Sequence, residues 1–164
     1  MKKYRDYAII TIDDDIIYSN DLIETLYNSY IKNPNCIHSR NVDKIMIKNN
    51  KVLPYEKWIK QYTFELRPSF YLFSNTVGGT LFPPNILNIS NENIKQISRC
   101  IKTVDIYLKY LSKKKNIRIV WVHNNFSFGL KQIKDFKNQK YDLYKIKRKR
   151  DRFNDDCLKI YPFI

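Results

Sequence analysis

Short apolar runs alternate along this chain with stretches of helical spacing, so strands and helices are interleaved from the start. The first run, Tyr7-Ala8-Ile9-Ile10-Thr11-Ile12, is nearly unbroken and rich in β-branched residues, which predicts a strand buried on both faces. It stops at Asp13-Asp14-Asp15. Ser19 or Asn20 can then cap a helix whose Leu22, Ile23, Leu26, Tyr27 and Tyr30 share one face, and Asn33-Pro34 ends it. Cys36-Ile37-His38-Ser39 reads as a short strand, and Lys44 to Ile47 with Val52-Leu53 as a hairpin around 48–51, broken by Pro54-Tyr55. Trp58 and Phe70-Tyr71-Leu72-Phe73 supply core or pocket wall. Helices are predicted over 91–100, with Ile94 and Ile97 inward, and from Thr103 onward, with Leu108 and Leu111 packing. Ile117 to Val122 is a strand ending at His123, and the remainder is a basic amphipathic tail.

Composition narrows the class. A chain of 164 residues with 43% hydrophobic and 15% aromatic residues can bury the core of one domain but not of two. The domain is expected over 1–140 and the tail over 141–164. No apolar stretch approaches the roughly 20 residues of a membrane span, and the N-terminus lacks a signal-peptide core, so a cytoplasmic chain is expected. Cys36, Cys100 and Cys157 are odd in number and far apart, which favours buried reduced thiols over a disulfide. The net charge of +14 calls for an acidic partner: nucleic acid, an anionic membrane face or a phosphorylated substrate. Abundant Lys, Asn, Ile and Tyr throughout account for part of that excess.

Against this basic background, three of only 16 acidic residues stand side by side at Asp13 to Asp15. Mutual repulsion makes each costly to ionise, and a divalent cation with a preference for oxygen ligands, Mg²⁺ or Mn²⁺, would relieve it. A polar turn into the next helix is the plainer alternative. Gly78-Gly79, two of the chain's three glycines, precede Thr80-Leu81-Phe82-Pro83-Pro84 and allow either close approach of backbone to a ligand or a tight turn. Asp105 opens a helix, where the helix dipole favours a carboxylate whatever its role. His123 at a strand end is a candidate metal ligand or a surface residue.

Taken in order, the aspartate triplet, Pro54-Tyr55 with Trp58, Gly78 to Pro84, Asp105-Ile106-Tyr107-Leu108-Lys109 and Asn154-Asp155 resemble the catalytic part of bacterial GT-A-type glycosyltransferases. The resemblance spans about Tyr7 to Asp156. It implies a partial GT-A domain of α/β class, a Rossmann-like mixed sheet flanked by helices, with a basic C-terminal tail. Asp13 and Asp15 then correspond to the acidic DxD pair holding Mn²⁺ or Mg²⁺, with His123 resembling a late metal ligand. Asp13, Asp14, Gly78 and Gly79 would border the nucleotide-sugar donor, and Asp105 would be the base that deprotonates a glycan or lipid-linked acceptor. Where the family has an acidic pair, this chain has Val104-Asp105. Only six residues precede the first strand, so the family's nucleotide-binding first portion has no counterpart here, which implies a fragment, a split protein or a decayed copy.

Two other classes compete. The basic run at 145–152, together with many tyrosines, suits a nucleic-acid-binding protein, or a peripheral contact with an anionic membrane on its inner face. Clustered aspartates also suit a metal-dependent nuclease, although further glutamates and a well-placed histidine are wanting.

Overall fold

The computed structural model describes residues 4, 6–86, 91–98, 100, 103–123, 131–133 and 153–162. The chain is mixed α/β. Its main sheet has four strands in the order β1 (Ile9–Thr11), β8 (Thr80–Phe82), β3 (Ile37–Ser39) and β9 (Ile119–Trp121). β8 runs antiparallel to both β1 and β3, while β9 is parallel to β3. Smaller antiparallel pairs join β2 (Ile16–Ile17) to β10 (Lys131–Gln132), β4 (Val42–Lys44) to β7 (Leu72–Ser74), and β5 (Ile47–Lys48) to β6 (Lys51–Val52). The last pair is a hairpin at the expected place, but its strands take in Lys48 and Lys51, expected in the turn, while Lys44 belongs to β4 instead. Asn49 and Asn50 both adopt positive φ, the backbone its two-residue turn requires and one that asparagine tolerates.

Period-two alternation explains how the main sheet is covered on both faces. Ile10, Leu81 and Val122 point to one side and pack under Leu22 and Leu26 of α1 (Leu22–Lys32). Ile9, Phe82, Ile37, Ile119 and Trp121 point to the other and meet Leu108 of α3 (Val104–Lys114). A third apolar cluster, built on Phe73, Trp58, Ile106 and Tyr107, holds α3 together with α4 (Phe153–Ile160). α2 (Asn91–Ser98) adds Ile97 to that cluster. The basic run at 145–152 lies outside the described residues.

Four expectations need correction. β1 is the outer strand of the described sheet rather than a fully buried one: Ile9, Ile10 and Thr11 are each half-buried, and Tyr7 and Ile12 are exposed. Ile9 and Ile10 do face opposite covered sides, but only one neighbouring strand shields their backbone. In α1 the apolar arc is wider than the buried one, so Leu22 and Leu26 are core while Ile23, Tyr27 and Ile31 are more than half exposed. The helix also begins without a side-chain cap from Ser19 or Asn20. Finally, Cys100 and Cys157 form a disulfide, because packing of α4 against α3 brings together cysteines 57 positions apart; only Cys36 remains a free, buried thiol.

His38 in β3 is fully buried, and both ring nitrogens are satisfied. Nε2 faces the Asn33 carbonyl at 3.0 Å, which can only accept, so Nε2 carries the proton and Nδ1 accepts the Ser29 hydroxyl at 2.8 Å. Burial holds the imidazole pKa below its ordinary value, the hydrogen bond to Asn33 opposing this only in part. The unfolded chain therefore binds a proton that the native state refuses. Stability is expected to fall as pH drops through the ordinary histidine range, from about 7 toward 5, and to level off below the native pKa. Urea unfolding across that range should show a shallower pH slope in His38→Gln; an unchanged slope would assign the dependence to carboxylates instead.

Candidate functional site

Strand direction gathers the candidate residues at one end of the sheet. β1, β3 and β9 all finish where β8 begins, since Thr11 and Ser39 both face Thr80, and Ser39 faces Trp121. The aspartate turn after β1, Arg40 after β3, His123 after β9 and the Gly78-Gly79 loop before β8 consequently share that end. Ligands of open α/β sheets collect at such an edge.

Tyr18 ties the aspartate turn to the glycine loop. Its hydroxyl accepts the Asp13 N–H at 2.8 Å and donates to the Val77 carbonyl at 2.8 Å. Burial pushes the phenol's pKa up, which keeps it protonated and able to donate. One residue along, the Thr76 hydroxyl donates to Asp105 Oδ1 at 2.8 Å. The aspartate turn and Asp105 are thus linked through 76–77, although they stand some 90 positions apart in sequence. The Asp13 carboxyl is raised above its usual range, first by burial and then by the charges of Asp15 and Asp14. Asp14 itself is exposed, and Asp13 and Asp15 are half-buried.

The paired glycines are explained by packing. A Cβ on Gly78 would meet Asn41 Cβ at 2.3 Å and the Asn41 backbone nitrogen at 2.9 Å, and Gly79 has φ of +88° with Leu22 Cδ1 at 2.7 Å from a Cβ position. The loop is pressed onto β4's entry and α1, and only glycine lets it come that close. Arg40, a residue that sequence reasoning passed over, seals the same corner. Its buried guanidinium donates to Ser19 Oγ at 2.8 Å and to Asp21 Oδ1 at 3.4 Å, while its backbone N–H reaches the Gly79 carbonyl at 3.2 Å. The Ser19 hydroxyl also donates to Asp21, and that bond, ahead of the Arg40 charge, lowers the Asp21 pKa.

Asp105 borders a crevice with room for about one water, shared with Thr76, Ser74 and Lys109 over a floor that includes Ile37 and Phe82. Lys109 stands one helical turn beyond Asp105, is 2% exposed, and donates to the Phe70 carbonyl at 2.8 Å. Burial, helped by the charge of Lys113, pushes its pKa down to about 7. Beneath the crevice a hydroxyl chain runs from Ser74 through Thr80 to Ser39, at 2.9 and 3.2 Å, and ends on the Asn41 carbonyl. Lys109 and Thr80 stand within the resembling motifs, but nothing in the sequence gives Lys109 or this hydroxyl chain a role, because a lysine at helical spacing and scattered hydroxyls look like surface until the fold buries them.

His123 is exposed, its ring edge-on to Trp121 at 5.5 Å between centroids. Three strand spacings, about 14 Å, separate the ends of β1 and β9, so His123 lies across the sheet end from Asp13. Among the described residues no three His, Cys, Asp or Glu side chains are gathered closely enough to hold a metal ion by themselves. No protein-family model matches the chain, and no curated protein and no solved structure matches it either.

Proposed function

We propose that the chain is the catalytic part of a metal-dependent glycosyltransferase of GT-A, Rossmann-like type, moving a sugar from a nucleotide-sugar donor to the hydroxyl of a glycan or lipid-linked acceptor. The observation that supports this reading is the linkage of the aspartate turn to Asp105 through Tyr18, Val77 and Thr76 at one end of a mixed sheet.

Asp13 and Asp15 would hold Mn²⁺ or Mg²⁺. Two carboxylates with the remaining positions filled by substrate phosphate and water is a usual arrangement for such ions, so this donor set fits without a third protein ligand. When bound, the ion neutralises charge developing on the nucleoside diphosphate as it leaves. Asp105 accepts the proton of the acceptor hydroxyl, with the Thr76 hydroxyl fixing the direction of one carboxylate oxygen. Asp14, Gly78 and Gly79 border the donor.

In a Mn²⁺ titration with UDP present, tight binding is expected for the native chain and at least about a tenfold loss for Asp15→Asn. Transfer or hydrolysis of UDP-sugars is expected to fall at least about a hundredfold in Asp105→Asn, with Mn²⁺ binding retained. Equal Mn²⁺ binding by Asp15→Asn would remove the metal corner. Oligonucleotide binding that collapses with salt, in a chain with no affinity for UDP-sugars, would favour the nucleic-acid reading instead.

A further inference from the structure

The segment 62–71 lies along the outer edge of β9, running from Tyr62, bonded to Val42 opposite Ser74 of the Asp105 crevice, to Phe70 beside Lys113 at the other end of α3. Tyr62 packs into the apolar cluster that contains Trp121, and Ser69 exchanges both backbone hydrogen bonds with Ile119. Between these anchors the chain has no helix or strand, and it presents Phe64 at 84% exposure and Leu66 at 67%, followed by Tyr71 at 53%. Large side chains this open are costly in water unless something covers them.

Cations flank the segment. Arg67 is exposed in the segment itself. Lys113 Nζ and the Arg118 guanidinium sit 4.5 and 5.2 Å from the Phe70 ring centroid, with Lys114 exposed alongside. The one carboxylate of the segment, Glu65, is engaged by Lys44 at 3.7 Å, and among the described residues no carboxylate pairs with Arg67, Lys113 or Arg118. Exposed apolar side chains in a segment flanked by these cations are complementary to a surface with negative headgroups over hydrocarbon. An aliphatic Leu66 beside Phe64 gains by entering acyl chains, whereas it offers no ring on which a nucleic-acid base could stack.

We propose that the segment 62–71, with Lys113, Lys114 and Arg118, is a membrane-docking surface that inserts Phe64 and Leu66 into an anionic bilayer. Eight positions of α3 separate Lys113 from Asp105, about 12 Å along the helix axis. The test is cosedimentation of the full chain with phosphatidylcholine vesicles, with and without phosphatidylglycerol. Binding is expected only with phosphatidylglycerol, weakening as salt rises. Phe64→Ser with Leu66→Ser should lower partitioning at least about tenfold, and Lys113→Gln with Arg118→Gln by a similar factor. Because all four positions are at the surface or stack only on Phe70, circular dichroism should remain native. A Phe64→Trp fluorophore should shift to the blue on binding. Failure to bind anionic vesicles overturns the proposal, as does binding undiminished by Phe64→Ser with Leu66→Ser, which would assign it to other cations of the chain. Preference for oligonucleotide over vesicles also overturns it.

Discussion

Reducing the Cys100–Cys157 disulfide is expected to lower the unfolding free energy by about 4 kcal/mol, the chain-entropy value for a closed loop of 57 residues. The effect acts on the unfolded ensemble, since the cross-link denies it the separation of α4 from the rest. α4 has other attachments in the native state. Asp155 Oδ1 accepts the Tyr55 N–H at 2.8 Å, the Tyr161 hydroxyl donates to the Gln96 carbonyl at 2.9 Å, and the Tyr161 ring stands edge-on to Tyr107 at 5.0 Å. The reduced protein should therefore keep α4 docked while unfolding at lower denaturant. Urea melts with and without dithiothreitol, compared with Cys157→Ser, measure this directly. Titration of three free thiols in the unreduced, denatured chain would show that the bond does not form, and would restore the expectation of reduced cysteines.

Asp43→Ala is expected to cost about 3 kcal/mol, from the removal of a buried carboxylate that serves three donors. Asp43 accepts from the Tyr55 hydroxyl at 3.1 Å, from Lys60 Nζ at 3.2 Å and from the Gln61 N–H at 3.0 Å. Gln61 has φ of +48°, so the carboxylate also stabilises a backbone that an ordinary residue resists. Lys60 contributes less than its distance suggests, because its side chain is 42% exposed and its charge is screened by water. Lys60→Ala should accordingly cost under about 1 kcal/mol. The Tyr55 hydroxyl would lose its acceptor, and its pKa, now raised by burial and then by Asp43, would fall toward ordinary phenol. Denaturant melts of the two variants settle the ranking, and an Asp43→Ala midpoint no lower than that of Lys60→Ala would refute it.

Both the disulfide and the Asp43 network join positions that no local signal relates. Local signals were sufficient for β3, for the Asn49-Asn50 hairpin, for α3 opening at Thr103 with Asp105 in its first turn, and for the end of α1 at Asn33-Pro34. Each of these is decided within a few residues by φ preference, capping or apolar period. The position of β1 is different, because an apolar run states only that both sides of a strand meet something apolar. It does not state how many strands lie beyond.

Even the candidate site divides this way. The Asp13 to Asp15 turn, Gly78-Gly79 and Asp105 could be named from residue type and order, since like charges side by side and adjacent glycines are unusual in any chain. The burial of Asp43, Lys109, Arg40 and the Ser74–Thr80–Ser39 hydroxyls could not be read this way, because charged and hydroxyl side chains are solvated by default and become structural only when other segments bury them. The sequence by itself determined the short-range elements and the mixed α/β class. The tertiary structure alone decided strand order, the Cys100–Cys157 pairing and the hydrogen bonds that tie the aspartate turn and Asp105 to the 76–77 loop, for these are contacts between distant positions, set by how apolar faces pack and invisible to any local preference.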